Sequence, residues 1–368
     1  MLIVLRCCVF FALLPRLSTA QTITETFGIG ANGFSIEFVQ IGNPGNEPDT
    51  TGNPNPAGSV SYVYNIGKYE ISRDIIDKAN LAGALGITMY DMTSEYGGNG
   101  ALKPATGISW YEAAKFVNYI NTSSGNTAAY KFDGSGNFQV WSSGDAGFNP
   151  SNVYRNSLAK YFLPSSAEWY KAAFSSPSGG YYNFATGSDS VPNPVAGGTN
   201  SNTLVSSDPD NTLIGPANVD NAGGLSAWGT MAQGGNAMEW TETAVDGIND
   251  SAGENKELRG GAWYMVAGST GADTRLTVSK PSYEYAFSGF RIAMVPAPPR
   301  SSRRTARASR RTAPWKILRY PPPAPLSRTC PRKTAEWSGH PSPRQTTAPP
   351  ISPAHPPSPF RSPAPPPA

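Results

Sequence analysis

ISWYEAAKFVNYIN, residues 108–121, decides the class of fold. Ser109 is followed three residues later by Glu112, the spacing at which a hydroxyl and a carboxylate each take up a free backbone N–H at a helix start. Trp110, Ala113, Ala114, Val117 and Ile120 then recur on one helical face. The stretch predicts an amphipathic helix with an aromatic anchor. FLPSSAEWYKAAF (162–174) repeats the device, with Ser165 as cap, Glu168 three residues on, and Trp169, Ala172 and Ala173 behind it. Upstream, VSYVYNIGKYEIS (60–72) alternates apolar and polar positions around aromatics. It reads as a strand pair, or one strand bending at Gly67, with Ser72 capping a helix that starts near Arg73. Downstream, ELRGGAWYMV (257–266) and SGFRIAMV (288–295) read as short strands. Two or three helices among many short strands make an α+β domain with a large irregular share. Glycine supplies 37 of the 275 residues from Gln21 to Val295, about twice the usual share of roughly 7%. Long, turn-rich connections follow from that. Trp110, Trp169, Trp240 and Trp263 are expected in the core, and Glu112 and Glu168 as helix caps rather than catalytic acids.

Charge divides the chain. Of 29 basic and 26 acidic residues, 13 basic ones and the single acid Glu336 lie in residues 296–368, together with 21 of the 35 prolines. Residues 1–295 keep 16 basic and 25 acidic side chains, a formal charge of −9. That balance excludes a nucleic-acid-binding body. His340 and His355 are in the tail, and the cysteines are Cys7, Cys8 and Cys330. With neither residue type between Gln21 and Val295, the body has no Ser-His-Asp or Cys-His nucleophile, no Cys/His zinc site and no disulfide. Residues 1–20, with Arg6, an apolar run from Cys7 to Leu14 and small residues Ser18 and Ala20, read as a signal peptide cleaved before Gln21. The run is far short of the roughly 20 residues of a membrane span. The organisation expected is a signal peptide (1–20), one domain (21–295) and a Pro/Arg-rich disordered tail (296–368). The abrupt change near Val295 is also what out-of-frame translation of GC-rich DNA gives.

Six segments, in order, carry a resemblance: IGKYEIS (66–72), ISWYEAA (108–114), LPSSAEW (163–169), GGNAMEW (234–240), LRGGAW (258–263) and GFR (289–291). In this order they resemble the sulfatase-modifying factor family, that of the formylglycine-generating enzyme, in its exported bacterial form. The resemblance implies a loop-rich fold like that of C-type lectins, with few short helices and short strands. It implies two copper-binding cysteines just after the Arg-Gly-Gly strand, and these fall near Met265 and Thr270, neither of them a thiol. The sulfoxide synthases of the family need histidine ligands, which the body lacks. The resemblance therefore implies neither copper nor iron here. It does imply calcium, at Gly235, Ala237 and Glu239, with Ala232 offering only a carbonyl, and a second site around Asn218 and Asp220. The alternative for Glu239 is a buried carboxylate accepting backbone N–H bonds in a turn. Arg259, Arg275 and Arg291 read either as a clamp for an anionic or carbohydrate ligand or as buried guanidinium groups tying loops together.

The leading expectation is an exported binding or structural module without formylglycine-generating chemistry. It would be secreted, periplasmic or on the cell surface, with an extracellular protein or glycan as partner and no transmembrane helix in the mature chain. The rivals are a family oxidoreductase with an unidentified substrate, and a calcium-dependent carbohydrate-binding module using Tyr181, Tyr182, Tyr283 and Tyr285.

Overall fold

The computed structural model describes residues 22–207, 215–274 and 277–296. The proposed signal peptide, Arg275 and nearly all of the Pro/Arg-rich tail lie outside the described residues.

Three helices form where the capping residues place them. Helix α1 spans Arg73–Gly83, α2 Trp110–Ser123 and α3 Ser166–Phe174. Ser72 accepts from the N–H of Ile75, and both Ser-x-x-Glu pairs close reciprocal capping boxes. The whole predicted face of α2 is buried, Trp110 through Ile120. Its anchor is tied across the molecule. The indole N–H of Trp110 donates to the carbonyl of Thr241 at 3.0 Å, and that of Trp240 donates back to the carbonyl of Ile108 at 2.7 Å. Two rings that bury this much area dominate their surroundings, and here each also has its polar atom satisfied.

Thirteen strands lie among the described residues, most of them short. They are β1 (Thr22–Phe27), β2 (Phe34–Ile41), β3 (Tyr64–Gly67), β4 (Lys131–Phe132), β5 (Phe138–Gln139), β6 (Tyr161–Phe162), β7 (Asn193–Val195), β8 (Thr203–Val205), β9 (Met238–Ala244), β10 (Lys256–Arg259), β11 (Thr277–Ser279), β12 (Ser288–Gly289) and β13 (Ala293–Met294). One sheet has the order β1-β2-β3-β13-β6 and a second the order β11-β10-β9-β12. Two small pairs, β4 with β5 and β7 with β8, complete the set. The five-stranded sheet curls until its edges meet. Lys160, beside β6, reaches Glu25 of β1 at 2.9 Å, Tyr161 donates to the same carboxylate at 3.1 Å, and the Phe27 and Tyr161 rings lie 5.1 Å apart.

Two sequence expectations change in detail. The stretch 257–266 holds a strand only as far as Arg259, because Gly260 and Gly261 turn the chain with positive φ. The stretch 288–295 is two short strands in different sheets. Ser288 and Gly289 pair with Met238 and Glu239, and Ala293 then pairs with both Ile66 and Phe162. The Gly-Phe-Arg segment is thus the crossover between the sheets, and Phe290 and Ile292 are buried on either side of Arg291. All four expected tryptophans are core residues. No helix among the described residues is long and apolar enough to cross a membrane.

Candidate functional site

The Gly234–Trp240 loop sits where the two sheets approach each other. Gly235 adopts φ +76°, and a Cβ there would lie 2.2 Å from the carbonyl oxygen of Val205, so only glycine fits. Asn236, also left-handed, is the hub of the loop. Its side-chain oxygen accepts from the N–H of Ala217 at 2.8 Å, and its amide donates to Glu70 at 2.5 Å. The N–H of Ala237 donates to the other Glu70 oxygen at 2.9 Å. Two residues on, Glu239 is wholly buried and faces Arg291, also wholly buried. The guanidinium donates to both carboxylate oxygens at 2.6 Å, and the indole N–H of Trp169 donates to one of them at 2.8 Å. The remaining Arg291 donors go to the carbonyls of Gly67, Lys68 and Met231 at 2.9, 3.2 and 2.7 Å. Arg291 therefore pins both sheets to the loop.

This geometry weighs against calcium at Glu239. A calcium ion takes six to eight oxygens, and the one carboxylate of the set is already bidentate to a cation. A further divalent charge beside a guanidinium, in a site where Ala232 offers only a backbone oxygen, is poorly compensated. The residues Gly235, Ala237 and Glu239 do not fit the ion, and the buried carboxylate is explained by Arg291, a partner that neither sequence reading named. Asn218 and Asp220 are exposed and the carbonyl of Asn218 closes a turn to Asn221. The described residues contain no group of three His, Cys, Asp or Glu that could hold a metal. We expect the melting temperature to be the same in calcium and in chelator. A calcium site on the native state alone would raise stability by about 2.7 kcal/mol at a hundredfold excess over its dissociation constant, and a shift of that size overturns this placement.

Glu70 is the residue the sequence reading missed. It is 2% exposed. Burial pushes its carboxyl up to about 8, helped by the neighbouring Glu239 charge and opposed by Arg291 and by the Asn236 and Ala237 donors. Two carboxylates thus share one guanidinium, which bonds directly to only one of them. A similar unit stands beside it. Arg155 donates to Glu242 at 2.9 and 3.0 Å and to Glu168 at 3.2 and 3.0 Å, and its guanidinium lies 3.7 Å over the Phe162 ring. Burial alone would raise Glu168, but Arg155 and the Ser165 and Tyr62 donors outweigh it and hold the carboxyl below its usual range. Glu168 is thus a cap, as expected, and also half of an ion-pair triad that capping did not suggest. Arg259 is likewise structural. It donates to the Ser166 hydroxyl at 3.0 Å, to Glu257 at 3.2 Å and to the carbonyl of Asn53 at 2.8 Å.

Met265 precedes a short helical turn, Ala267–Thr270, of which Thr270 is the last residue. The Thr270 hydroxyl donates to the carbonyl of Ala267 at 2.8 Å and is buried, and Met265 is half-buried against the core. A hydroxyl and a thioether do not make a thiolate pair, so these positions do not fit copper as the family uses it. The chain just before them, at Trp263 and Tyr264, belongs to an aromatic band. Tyr90, Tyr96, Trp263, Tyr264, Phe287, Tyr285 and Tyr283 form an unbroken series, each ring 5.1 to 6.3 Å from the next, and Tyr285 stacks on Phe287 within 5° of parallel. Tyr90 and Tyr283 are exposed, and the indole N–H of Trp263 has no hydrogen-bond partner. Tyr181 belongs elsewhere, packed with Trp169, Tyr170 and Phe174.

The two sheets, the capped helices and the arginine-pinned loop define a loop-rich α+β domain of the kind shared by formylglycine-generating enzymes. Residues 44–295 match the sulfatase-modifying factor enzyme 1-like domain, and the chain belongs to that family. Among solved structures it is similar to Treponema denticola variable protein 1, at 19% identity and a TM-score of 0.51, over 74% of this chain and 99% of that one. It is similar to CarF at 17% identity and a TM-score of 0.51, over 71% and 99%. PvdO from Pseudomonas aeruginosa aligns at 16% identity and a TM-score of 0.45, over 74% and 98%. No curated protein matches the chain.

Proposed function

We propose that this chain is an exported binding module that recognises a glycan through its aromatic band, without formylglycine-generating chemistry. Two observations carry the reading: the replacement of both family cysteine positions, by Met265 and Thr270, and the series of seven contiguous rings. Rings with an apolar face and a polar tip contribute contact area at small entropy cost. In this reading the C–H face of a sugar ring packs against the outer face of the parallel, stacked Tyr285–Phe287 pair. Recognition by stacking asks for no metal, in keeping with a Glu239 already occupied by Arg291. A family oxidoreductase would have to work without thiol or imidazole anywhere in residues 21–295. Export rests on the pattern of residues 1–20.

The experiment is a glycan array probed with the full chain, with and without chelator, followed by titration of the best glycan against a Tyr285→Ala, Phe287→Ala double variant. Each ring is worth about 1 kcal/mol, so affinity should fall by roughly tenfold or more. Chelator should leave binding unchanged. An array without any hit, or binding abolished by chelator, refutes this reading.

A further inference from the structure

A cavity of about 180 Å³ opens beside the turn between β3 and α1, and it shares no residue with the aromatic band. Its walls are apolar, from Ile36, Ile71, Ile75, Leu102 and Val219. Three carboxylate residues line it as well: Glu37 from β2, Glu70 from the turn and Asp220 from the loop after Gly215. Lys68 partly offsets Glu37, at 3.4 Å and half exposed. Asp220 forms no ion pair with a basic side chain among the described residues, whereas both oxygens of Glu70 already accept, from Asn236 and Ala237. The start of α1, at Ser72 and Ile75, also borders the cavity. Its positive end is equivalent to roughly half a charge and is outnumbered by the acids.

A concave, mainly apolar pocket with a few convergent polar groups is the usual form of a small-ligand site. Here those groups share one sign. A hydrated metal ion gains little from five aliphatic walls, since it needs oxygens on most sides. A group that pairs a compact positive charge with a hydrocarbon stem satisfies both halves of the lining, its stem against the isoleucines and its charge toward the acids. We propose that this cavity binds a primary alkylammonium ion, with Asp220 and Glu37 meeting the charge at the mouth. The charge enters a partly desolvated site, where its attraction to the carboxylates is stronger than at the open surface.

The test uses the full chain and n-butylammonium chloride, with n-butanol and calcium chloride as controls, followed by calorimetry. Butylammonium should bind saturably and butanol should not. Asp220 is exposed, so Asp220→Asn should fold with an unchanged melting temperature and bind the amine roughly fivefold more weakly, the scale of one partly screened charge pair. Leu102→Trp, which fills the cavity from an exposed position, should abolish binding. Equal binding of butanol, displacement of the amine by millimolar calcium, or full affinity in Asp220→Asn would each overturn the proposal.

Discussion

Replacing Arg291 by methionine is expected to remove 3–5 kcal/mol of stability, the usual cost of stripping one partner from a buried ion pair. That is a large share of the 5–15 kcal/mol that holds a typical domain together. The reason lies in what the guanidinium leaves behind. Glu239 would keep only the Trp169 donor, Glu70 would stay buried beside it, and the carbonyls of Gly67, Lys68 and Met231 would lose the Arg291 donors, Lys68 keeping the N–H of Met231. Glu239→Gln should cost much less, about 1–3 kcal/mol. Removing the Glu239 charge takes away one of the two causes that keep Glu70 protonated, so Glu70 can ionise against Arg291 in its place, and the amide oxygen of glutamine still accepts one bond. Urea unfolding of both variants measures the asymmetry. Equal losses would mean that Glu70 does not serve as a second counter-charge, and a loss below 1 kcal/mol in Arg291→Met would mean that the sheets do not depend on this pin.

The parts of the fold written in local chemistry were legible in the sequence. Both Ser-x-x-Glu caps and the buried face of α2 follow from spacings of three and four residues, because a helix end satisfies its own donors locally, while the four core tryptophans were expected there as large aromatic residues. What stayed hidden is long-range. Arg155 lies in NVYRNS, a stretch with no periodicity, and its partners Glu168 and Glu242 are 13 and 87 residues away. Glu70 looks like the polar position of an alternating strand, yet the strand ends at Gly67 and the side chain turns inward. In β9 every residue from Met238 to Glu242 is buried, so alternation gave no sign of which carboxylate would find an arginine. The Glu239 motif was legible as a site, but its partner was not, because Arg291 arrives from a crossover between sheets that no local pattern encodes. The aromatic band is assembled from three separate loops, and only Tyr283 and Tyr285 stood out beforehand as candidate ligand contacts.

Titration of Glu70 should withdraw about 3.5 kcal/mol of stability between pH 5 and pH 8, against a smaller gain from the buried Lys256 and Lys171, whose ammonium groups burial pushes down to about 7 and about 8. Its carboxyl titrates near 4.5 in an unfolded chain and is pushed up to about 8 in the native state, by burial first and the Glu239 charge second. Between those two values the native protein binds one proton more than the unfolded chain. Stability then declines as pH rises, by up to roughly 1.4 kcal/mol per unit, and the contribution is complete below the unfolded value and gone above the native one. The structural meaning is a change in the charge of the cluster. With Glu70 protonated, Glu239 and Arg291 form a neutral pair; with Glu70 ionised, two buried carboxylates share one guanidinium. Glu70→Gln separates this effect from other titrations. Glutamine keeps one acceptor for the N–H of Ala237, but its amide nitrogen cannot accept from Asn236, whose own oxygen is committed to the N–H of Ala217. The variant should therefore be weaker than the native protein at pH 5, by about 1–3 kcal/mol for the unpaired donor. Relative to the native protein its stability should climb by about 3.5 kcal/mol from pH 5 to pH 8, where it equals or exceeds it. Urea titrations at half-unit intervals of pH would show the two curves converging or crossing. Parallel curves, with the same slope in both proteins, would assign the pH dependence to other groups and leave Glu70 ionised throughout.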